Sequence, residues 1–524
     1  MRISTSQYFE TSATNYSKAF SDTAKTQEQI SSGSRITTAS DDPVGASKLL
    51  QLQQQNSMLT QYSTNITAVT NAGNQAESVL DSINTALQKA QELAVQAGNG
   101  GLSDEDKGSI ASELGQIQNT VFGLMNSKDT NGNYMFSGSQ TGTAPYVQNS
   151  DGSYTYQGDQ TQLSLQVSDT LQVATNDSGF AAFDQAVNTS RTTTTLTSPT
   201  TDDGRIQVSA GNMTSKADYT NSYVSGQPYT LNFTSSTQYT LTDASGNDVT
   251  SETSGNGTYD PNSTDGTNFT LRGVQYAINV NLQSSDSSVS ADSVLAGHTF
   301  TLGSTPDTIT ASRNPANTST AQIATASVTD TTAYNSSFPT QGAVIKFTSP
   351  TQYAVYSQPY STSSKAVATG TMTGTSITAA GVTFNVSGTP ATGDQFTISS
   401  DSHKTQNVLD TINQLKTALQ VPSGSDAASK LTLKNAVSSA INNLASASVL
   451  IDTTRGLIGA RGNALDIQST ENTSLALANK STQSAIADTD MASASVTLSL
   501  QQTMLQASQL AFAKISQLSL FNKI

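Results

Sequence analysis

The chain has 524 residues, 35 % of them hydrophobic and 12 % charged, with a formal net charge of −15 and neither Cys nor Trp. That length exceeds what one core fills, so several domains are expected, and an acidic balance without any Lys/Arg cluster argues against nucleic-acid binding and against insertion into or attachment to anionic membranes. The missing Cys excludes disulfides, thiolate metal sites and a Cys nucleophile, and no run approaches the ~20 apolar residues of a membrane span. The N-terminus lacks the apolar stretch of a cleavable secretory signal, which predicts a protein that stays inside the cell or leaves by another route.

In chain order, residues 1 to about 32 predict a first helix. Phe9, Ala13, Tyr16, Phe20, Ala24, Gln27 and Ile30 recur every three or four residues. Gly33 supplies its stop. In the linker that follows, Ser40, Asp41 and Asp42 are candidate caps and Pro43 suits a first helical turn. Leu49, Leu52, Leu59, Tyr62, Ile66, Val69, Ala76, Leu80, Ile83, Leu87 and Leu93 then keep helical spacing to about Ala97, a rod rather than a globular helix. Gly98-Asn99-Gly100-Gly101 breaks it. Ser103 and Asp106 form a capping signal for a third helix through Ile110, Leu114, Ile117, Val121 and Leu124.

From about Asn126 the chain turns aromatic and turn-rich. Asp151-Gly152 between Tyr146-Val147 and Tyr154 to Tyr156 predicts a hairpin. Leu163, Leu165 and Val167 alternate as a strand, and SGFAAFDQAV predicts a short helix. Residues 190–400 are rich in Thr, Ser, Gly and Asn, a composition compatible with disorder. An internal repeat argues for folded β structure instead. FTSSTQY at Phe233–Tyr239 returns as FTSPTQY at Phe347–Tyr353. Gly273-Val274-Gln275-Tyr276 and Gly297-His298-Thr299-Phe300 return in the same order as Gly381-Val382-Thr383-Phe384 and Gly393-Asp394-Gln395-Phe396, so two related modules are expected.

Helix resumes at about Thr405 with Val408, Ile412, Leu415 and Leu419. Pro422-Ser423-Gly424 separates it from a longer helix through Leu431, Val437, Ile441, Leu444, Ile451, Ile467 and Leu477. After a break near Ala487-Asp488, with Asp488 or Asp490 as cap, the last stretch carries a heptad seam. Met491, Leu498, Leu505 and Phe512 are seven apart, and Ala494, Gln501, Ser508 and Ile515 follow each by three. Leu500, Met504, Leu518, Leu520 and Phe521 widen the apolar surface. Periodicity leaves open whether the two terminal helices pair with each other or pack separately on one core. The expected fold is α+β: a discontinuous long-helix, coiled-coil domain built from both termini, with inserted all-β modules. Its parts are 1–125 and 403–524 for the helical halves, 126–190 for a small β region, and 191–305 and 306–402 for the two modules.

No constellation for catalysis emerges, and no cofactor or metal is expected. His298 and His403 are far apart in polar settings. There is no HExxH, P-loop, dinucleotide fingerprint or GxSxG. Asp41-Asp42 reads as helix capping, because a cation would need more oxygen ligands than its neighbours promise.

Other stretches carry a resemblance. MRISTSQYF, SSGSRITTASDDPVGA, NGNYMFSGSQT, TTRGLIGARGNALD, ADTDMASASVTLSLQQTMLQAS and SQLSLF are similar to the flagellin superfamily. The resemblance covers about residues 1–180 and 405–524. The MRIST start, YMFSGSQT and the LSLF ending resemble its hook–filament junction members more than filament flagellin. It implies a secreted, non-enzymatic structural subunit of the bacterial flagellum. Such a subunit is exported unfolded by the flagellar export apparatus with a chaperone. It assembles as a ring of copies beside a neighbouring hook-associated protein and flagellin. The expected assembly interface is Phe9, Tyr16, Phe20, Ile30, Met491, Leu498, Leu505, Phe512 and Ile515, with Gly33, Asp41, Asp42 and Pro43 as linker and cap. The competing readings are filament flagellin and a secreted adhesin that uses the β modules.

Overall fold

The computed structural model describes residues 5–264, 266–339, 342–422 and 427–521, with side chains to Lys514 at the C-terminal end. Residues 1–4 of the first expected helix and Ser423-Gly424 of an expected break lie outside the described residues, as do the side chains of Ile515, Leu518, Leu520 and Phe521.

Among the described residues there are six long helices: α1 (Thr5–Ser32), α2 (Pro43–Ala97), α3 (Asp104–Met125), α4 (Val408–Gln420), α5 (Ala427–Ala487) and α6 (Met491–Phe521). At about 1.5 Å per residue, α2 and α5 are rods of roughly 80–90 Å. Their boundaries follow local chemistry. Gly33, at φ +70°, ends α1 in a left-handed conformation. Asp42 caps α2, its Oδ1 accepting the Gly45 N–H at 2.9 Å while Pro43 occupies the first turn. Ser103 and Asp106 close a reciprocal capping box on α3. Asn407 caps α4 through the Leu409 N–H at 2.7 Å.

The chain divides into two compact units. The first comprises residues 1–74, 163–175 and 458–524. Here the hairpin of β3 (Ser164–Gln166) and β4 (Gln172–Ala174) lies against the rods, with Val167 buried among Ile66, Val69 and Leu465. Side chains from both rods satisfy the hairpin's polar groups. Asn65 donates to the Gln166 carbonyl at 2.7 Å, Asn472 to the Val167 carbonyl at 2.9 Å, and Tyr62 to Asp169 at 2.9 Å.

The second unit comprises residues 75–162 and 176–457. Its helical part buries Leu80, Ile83, Leu87 and Leu93 of α2, Ile110, Leu114 and Val121 of α3, Ile412, Leu415 and Leu419 of α4, and Val437, Leu444 and Ile451 of α5. Arg455 of α5 reaches Glu77 and Asp81 of α2 at 2.9 and 3.0 Å. The hairpin of β1 (Tyr146–Gln148) and β2 (Tyr154–Tyr156) turns at Asp151-Gly152. A single π-helical turn, Phe180–Asp184, stands where a short helix is expected.

The β insertion follows in the same unit. Its first half holds β5 (Thr192–Ser198), β6 (Ile206–Val208), β7 (Asn212–Met213), β8 (Tyr229–Phe233), β9 (Tyr239–Thr242), β10 (Thr267–Leu271), β11 (Val274–Val280) and β12 (Thr299–Ser304). The second holds β13 (Thr308–Arg313), β14 (Gln322–Val328), β15 (Ala343–Phe347), β16 (Gln352–Ser357), β17 (Ala366–Thr371), β18 (Ser376–Ala379), β19 (Val382–Ser387) and β20 (Gln395–Asp401). The sheets run β5-β12-β8-β9 and β10-β11-β6, with β7 beside β11, then β13-β20-β15-β16-β17 and β14-β19-β18. Every paired strand is antiparallel.

Two half-buried carboxyls tie the β1–β2 hairpin region to the start of α4. Burial pushes Asp184 up to about 6, opposed by the Asn407 amide that donates to it. Burial likewise pushes Asp410 up to about 6, opposed by the Tyr154 N–H donated to it at 3.1 Å. Between the unfolded carboxyl value of about 4 and about 6, the folded chain binds more protons than the unfolded one. The second unit is therefore expected to lose stability as pH rises through that window. Asp410→Asn keeps an acceptor for Tyr154 and removes the charge. It should raise the melting temperature of the unit at pH 7.5, leave it nearly unchanged at pH 5, and so flatten the profile measured by calorimetry.

Candidate assembly surface on the terminal helices

α1 and α6 lie antiparallel, the start of one beside the end of the other. Phe512 packs between Phe9 and Tyr16, with ring centroids 5.2 and 6.1 Å away. At the opposite end Thr489, just before α6, donates its N–H to the Gly33 carbonyl at 3.0 Å. The expected heptad seam of α6 is the set of residues this pairing half-buries: Ala494, Leu498, Gln501, Leu505, Ser508 and Phe512. Met491, at the first position of the seam and of the helix, is 48 % exposed.

On α1 the facing residues are Phe9, Ser12, Ala13, Tyr16, Ala19, Thr23, Thr26 and Ile30. This corrects the sequence reading at three positions. Phe20, Ala24 and Gln27 face away, and Phe20 is 58 % exposed. A strict seven-residue step from Phe9 leads through Tyr16 and Thr23 to Ile30, and another from Ser12 through Ala19 to Thr26. Polar threonines hide this seam from a reading by hydrophobicity. In the helix, the Thr23 hydroxyl donates to the Ala19 carbonyl at 2.7 Å and the Thr26 hydroxyl to Asp22 at 3.1 Å. With its hydroxyl so satisfied, each threonine leaves a methyl group for packing.

α6 carries a second apolar row that α1 does not cover. Val496, Leu500, Met504 and Leu510 are 72, 57, 57 and 66 % exposed. Ile467 and Leu477 of α5 and Val44 and Leu50 of α2 are also strongly exposed within the same unit. Single exposed apolar side chains are ordinary, but a repeated row on one helix is a candidate surface for a partner.

The joint between α1 and α2 is stitched to the joint between α5 and α6. Ser34 and Asp488 form a β-bridge, and the Arg35 N–H donates to the Ala487 carbonyl at 2.6 Å. The Arg35 guanidinium reaches the Ile486 carbonyl at 2.9 Å and Asp42 at 3.2 Å. Asp41 acts as a loop clasp instead of a helix cap. It accepts N–H donors from Thr37 and Thr38 at 3.1 and 2.8 Å and pairs with Lys25 at 2.7 Å. The Lys25 ammonium holds the Asp41 carboxyl well below the usual range, while the Gly45 N–H and then Arg35 lower that of Asp42. Gly45 has its own reason: a Cβ there would stand 2.5 Å from Asp42 Oδ2 and 2.8 Å from Ile36 Cδ1. Lys25, Arg35 and Gly45 were missed by sequence reasoning; the Lys25–Asp41 contact in particular spans sixteen residues and leaves no periodic signal. Asp490, one of two expected caps, accepts the Ala492 N–H at 3.0 Å at the start of α6.

Among the described residues no group of three His, Cys, Asp or Glu could hold a metal ion, and no helix is long and apolar enough to cross a membrane. His298 is buried and contacts the Leu295 carbonyl and Asp203, while His403 contacts Thr308. The two histidines thus serve separate local hydrogen bonds.

Phe512→Ala removes both ring contacts that join α6 to the start of α1. For a half-buried aromatic this should cost about 1–2 kcal/mol. It is expected to speed amide exchange in the first three turns of α1 while leaving the second unit unchanged.

Comparison with known proteins agrees with this geometry. Residues 3–141 match the model of the bacterial flagellin N-terminal helical region. Flagellar hook-associated protein 3 of Salmonella typhimurium is 37 % identical over 183 residues, 35 % of this chain and 57 % of that protein. The protein of the same name in Escherichia coli is 37 % identical over 146 residues, 28 % of this chain and 46 % of its own length. The chain thus spans about half the length of these curated relatives. A crystal structure of hook-associated protein 3 from Legionella pneumophila shares the fold, with a TM-score of 0.50 at 20 % identity, covering 83 % of this chain and 98 % of that one. With its paired terminal helices, the chain is similar to the flagellin superfamily over its matched N-terminal region and to hook-associated protein 3 over the aligned part.

Proposed function

We propose that this protein is a structural subunit of the bacterial flagellum, placed at the junction between hook and filament. The carrying observation is the pair of apolar rows on α6. One row is occupied by α1 of the same chain; the other, Val496-Leu500-Met504-Leu510, has no cover among the described residues. Helices of this length gain most of their stability from packing, so the open row is best completed by copies of the same chain and by neighbouring flagellar subunits. The partners are a ring of its own copies, a neighbouring hook-associated protein and flagellin. The exposed Phe20 and Met491 belong to the outward set, whereas Phe9, Tyr16, Ile30, Leu498, Leu505 and Phe512 hold the two ends of one chain together. Gly33, Asp41, Asp42 and Pro43 fix the angle at which the terminal pair leaves the rods. The chain has a structural rather than an enzymatic role, and it reaches the cell exterior by the flagellar export route in the unfolded state, with a chaperone in the cell.

Antibody labelling of isolated flagella tests the placement. Label confined to the hook–filament boundary is the expected result. Label along whole filaments would favour filament flagellin, and label away from flagella would favour an adhesin.

The two rows predict different phenotypes. Leu500→Asp lies on the open row and should abolish assembly and swimming while the monomer's melting profile is unchanged. Leu505→Asp buries a charge in the α1–α6 seam and should in addition free α1 in the monomer, seen as faster amide exchange. Normal swimming with Leu500→Asp would remove the open row from the assembly.

Limited proteolysis of the dilute monomer probes coupling between folding and assembly. Residues 1–40 and 480–524 are expected to be cut well before the β insertion, and to gain protection in assembled flagella.

A further inference from the structure

The two halves of the β insertion share their strand connectivity, apart from β7 in the first and β17 in the second, which have no counterpart. The order β5-β12-β8-β9 in the first is matched by β13-β20-β15-β16 in the second, and β10-β11-β6 by β18-β19-β14. The correspondence extends to single hydrogen bonds. Phe233 donates its N–H to the His298 carbonyl at 2.9 Å and accepts from Gly297 at 2.8 Å; Phe347 does the same with Asp394 and Gly393 at 2.9 and 2.8 Å. The Gly273 carbonyl accepts from Thr214 and Ser215 at 2.8 and 3.1 Å, and the Gly381 carbonyl from Thr329 and Asp330 at 2.9 and 3.1 Å. Ser215 and Asp330 then each cap a short helical turn. Both glycines have positive φ, +82° and +77°. A Cβ at Gly273 would stand 2.7 Å from the Ser215 carbonyl oxygen, and one at Gly381 would run into Asp330 O and Tyr334 N. A shared β fold alone does not require the same tight turn to be wedged under the same capping residue.

Each half is also closed upon itself. The ends of the first meet where Thr192 pairs with Ser304, and those of the second where Thr308 pairs with Asp401. Their buried clusters share no residue, the first running from Ile206 to Leu302 and the second from Ile309 to Ile398. Among the described residues no strand ladder joins the two.

Their anchorage differs. The chain enters and leaves the insertion through a neck where Val187 bridges Thr405 and the Asn188 N–H donates to the Lys404 carbonyl at 3.1 Å. Asn443 of α5 locks this neck, its Oδ1 accepting both the N–H and the hydroxyl of Thr189 at 2.7 Å. The first half also docks on α5. Asn212 donates to Ser438 at 2.8 Å, and Lys434 donates to Asn279 at 3.0 Å.

We propose that residues 191–305 and 306–402 are tandem copies of one β fold, and that the second copy is an autonomous unit which the rest of the chain does not need in order to fold. The first copy is the foundation, fixed to α5; the second is an addition held at its own adjacent ends. This holds whether or not the protein sits at the hook–filament junction.

Two arms test the proposal on the full chain by amide exchange read by mass spectrometry. Gly381→Ala forces a Cβ into the turn before β19. Exchange in β18 and β19 should rise roughly tenfold or more, with β5 to β12 unaffected. Gly273→Ala should produce the reverse pattern. Joint loss of protection in both copies from either substitution would overturn the proposal. In the second arm residues 306–402 are deleted and Thr305 is joined directly to His403. The expected product is soluble, with unchanged exchange across 191–305 and α5. Loss of protection across 191–305 in that product would show the second copy to be part of the first one's fold, and would also overturn it.

Discussion

The structure turns on a shortage of apolar partner surface for its longest helices. α6 presents two apolar rows, and the single facing helix α1 covers one of them. A helix pair can bury only the seam where the two cylinders touch. Closing the second row inside the chain would require a third long helix against α6, and the rods α2 and α5 are instead committed elsewhere in their unit to the β3–β4 hairpin. The consequence is a terminal pair whose inner face holds one chain together and whose outer face is available. Small and polar residues dominate the inner seam: Ala494, Gln501 and Ser508 alternate with Leu498, Leu505 and Phe512. Such a seam specifies register through its few large side chains and keeps the pairing modest. Modest pairing suits the proposed role, in which the ends of the chain also answer to neighbours.

A second constraint is directional. Two long helices that each reverse into a terminal helix need both reversals at the same height. The chain meets this with a β-bridge at Ser34 and Asp488 and with Arg35, whose guanidinium touches one joint's carbonyl and the other joint's carboxylate. Asp41 and Asp42 divide the work between them. Asp42 starts α2 while Asp41 gathers the loop amides and Lys25 of α1. Neighbouring acids with different partners avoid the repulsion that a shared site would impose. Both keep their charge, because each is surrounded by N–H donors or a cation.

Much of the helical architecture was legible because its signals are local. Gly33, Pro43, the Gly98–Gly101 break, the Ser103–Asp106 box and the heptads of α6 all act within one or two turns of chain. The antiparallel hairpin at Asp151-Gly152 was readable for the same reason, whereas the repeat at Phe233 and Phe347 showed as likeness between two distant stretches. What escaped was long-range or disguised. The inner face of α1 was misplaced at Phe20, Ala24 and Gln27, because Thr23 and Thr26 look polar in sequence yet pack as methyl groups once their hydroxyls turn inward. The role of Asp41 depends on Lys25, a full helix turn or more beyond any capping window. The π-helical turn at Phe180–Asp184 differs from a short α-helix only in hydrogen-bond register, which residue identity does not encode. Nothing local in the sequence singles out the half-buried carboxyls Asp184 and Asp410, whose partners Asn407 and Tyr154 stand 223 and 256 residues away.

The anchorage of the β insertion follows from the same economy. A neck of two antiparallel chain segments is a weak support unless something fixes its orientation. Asn443 does so with a side chain that has two acceptor lone pairs and two donors, and all are directed at the neck: Thr189 on one side, Asn188 and Gln406 on the other. Leaving such a group buried and unpaired would be expensive, so the amide both requires and enforces one arrangement of the entering and leaving strands. Once that crossing is fixed, further β structure can be added beyond it without altering the helices beneath. A duplicated module with adjacent ends is the form such an addition takes with least disturbance, since its insertion separates two points that are already neighbours. The β part can then vary in size without disturbing the helices beneath it, in keeping with the stretches that resemble the flagellin superfamily, all of which lie outside residues 190–400.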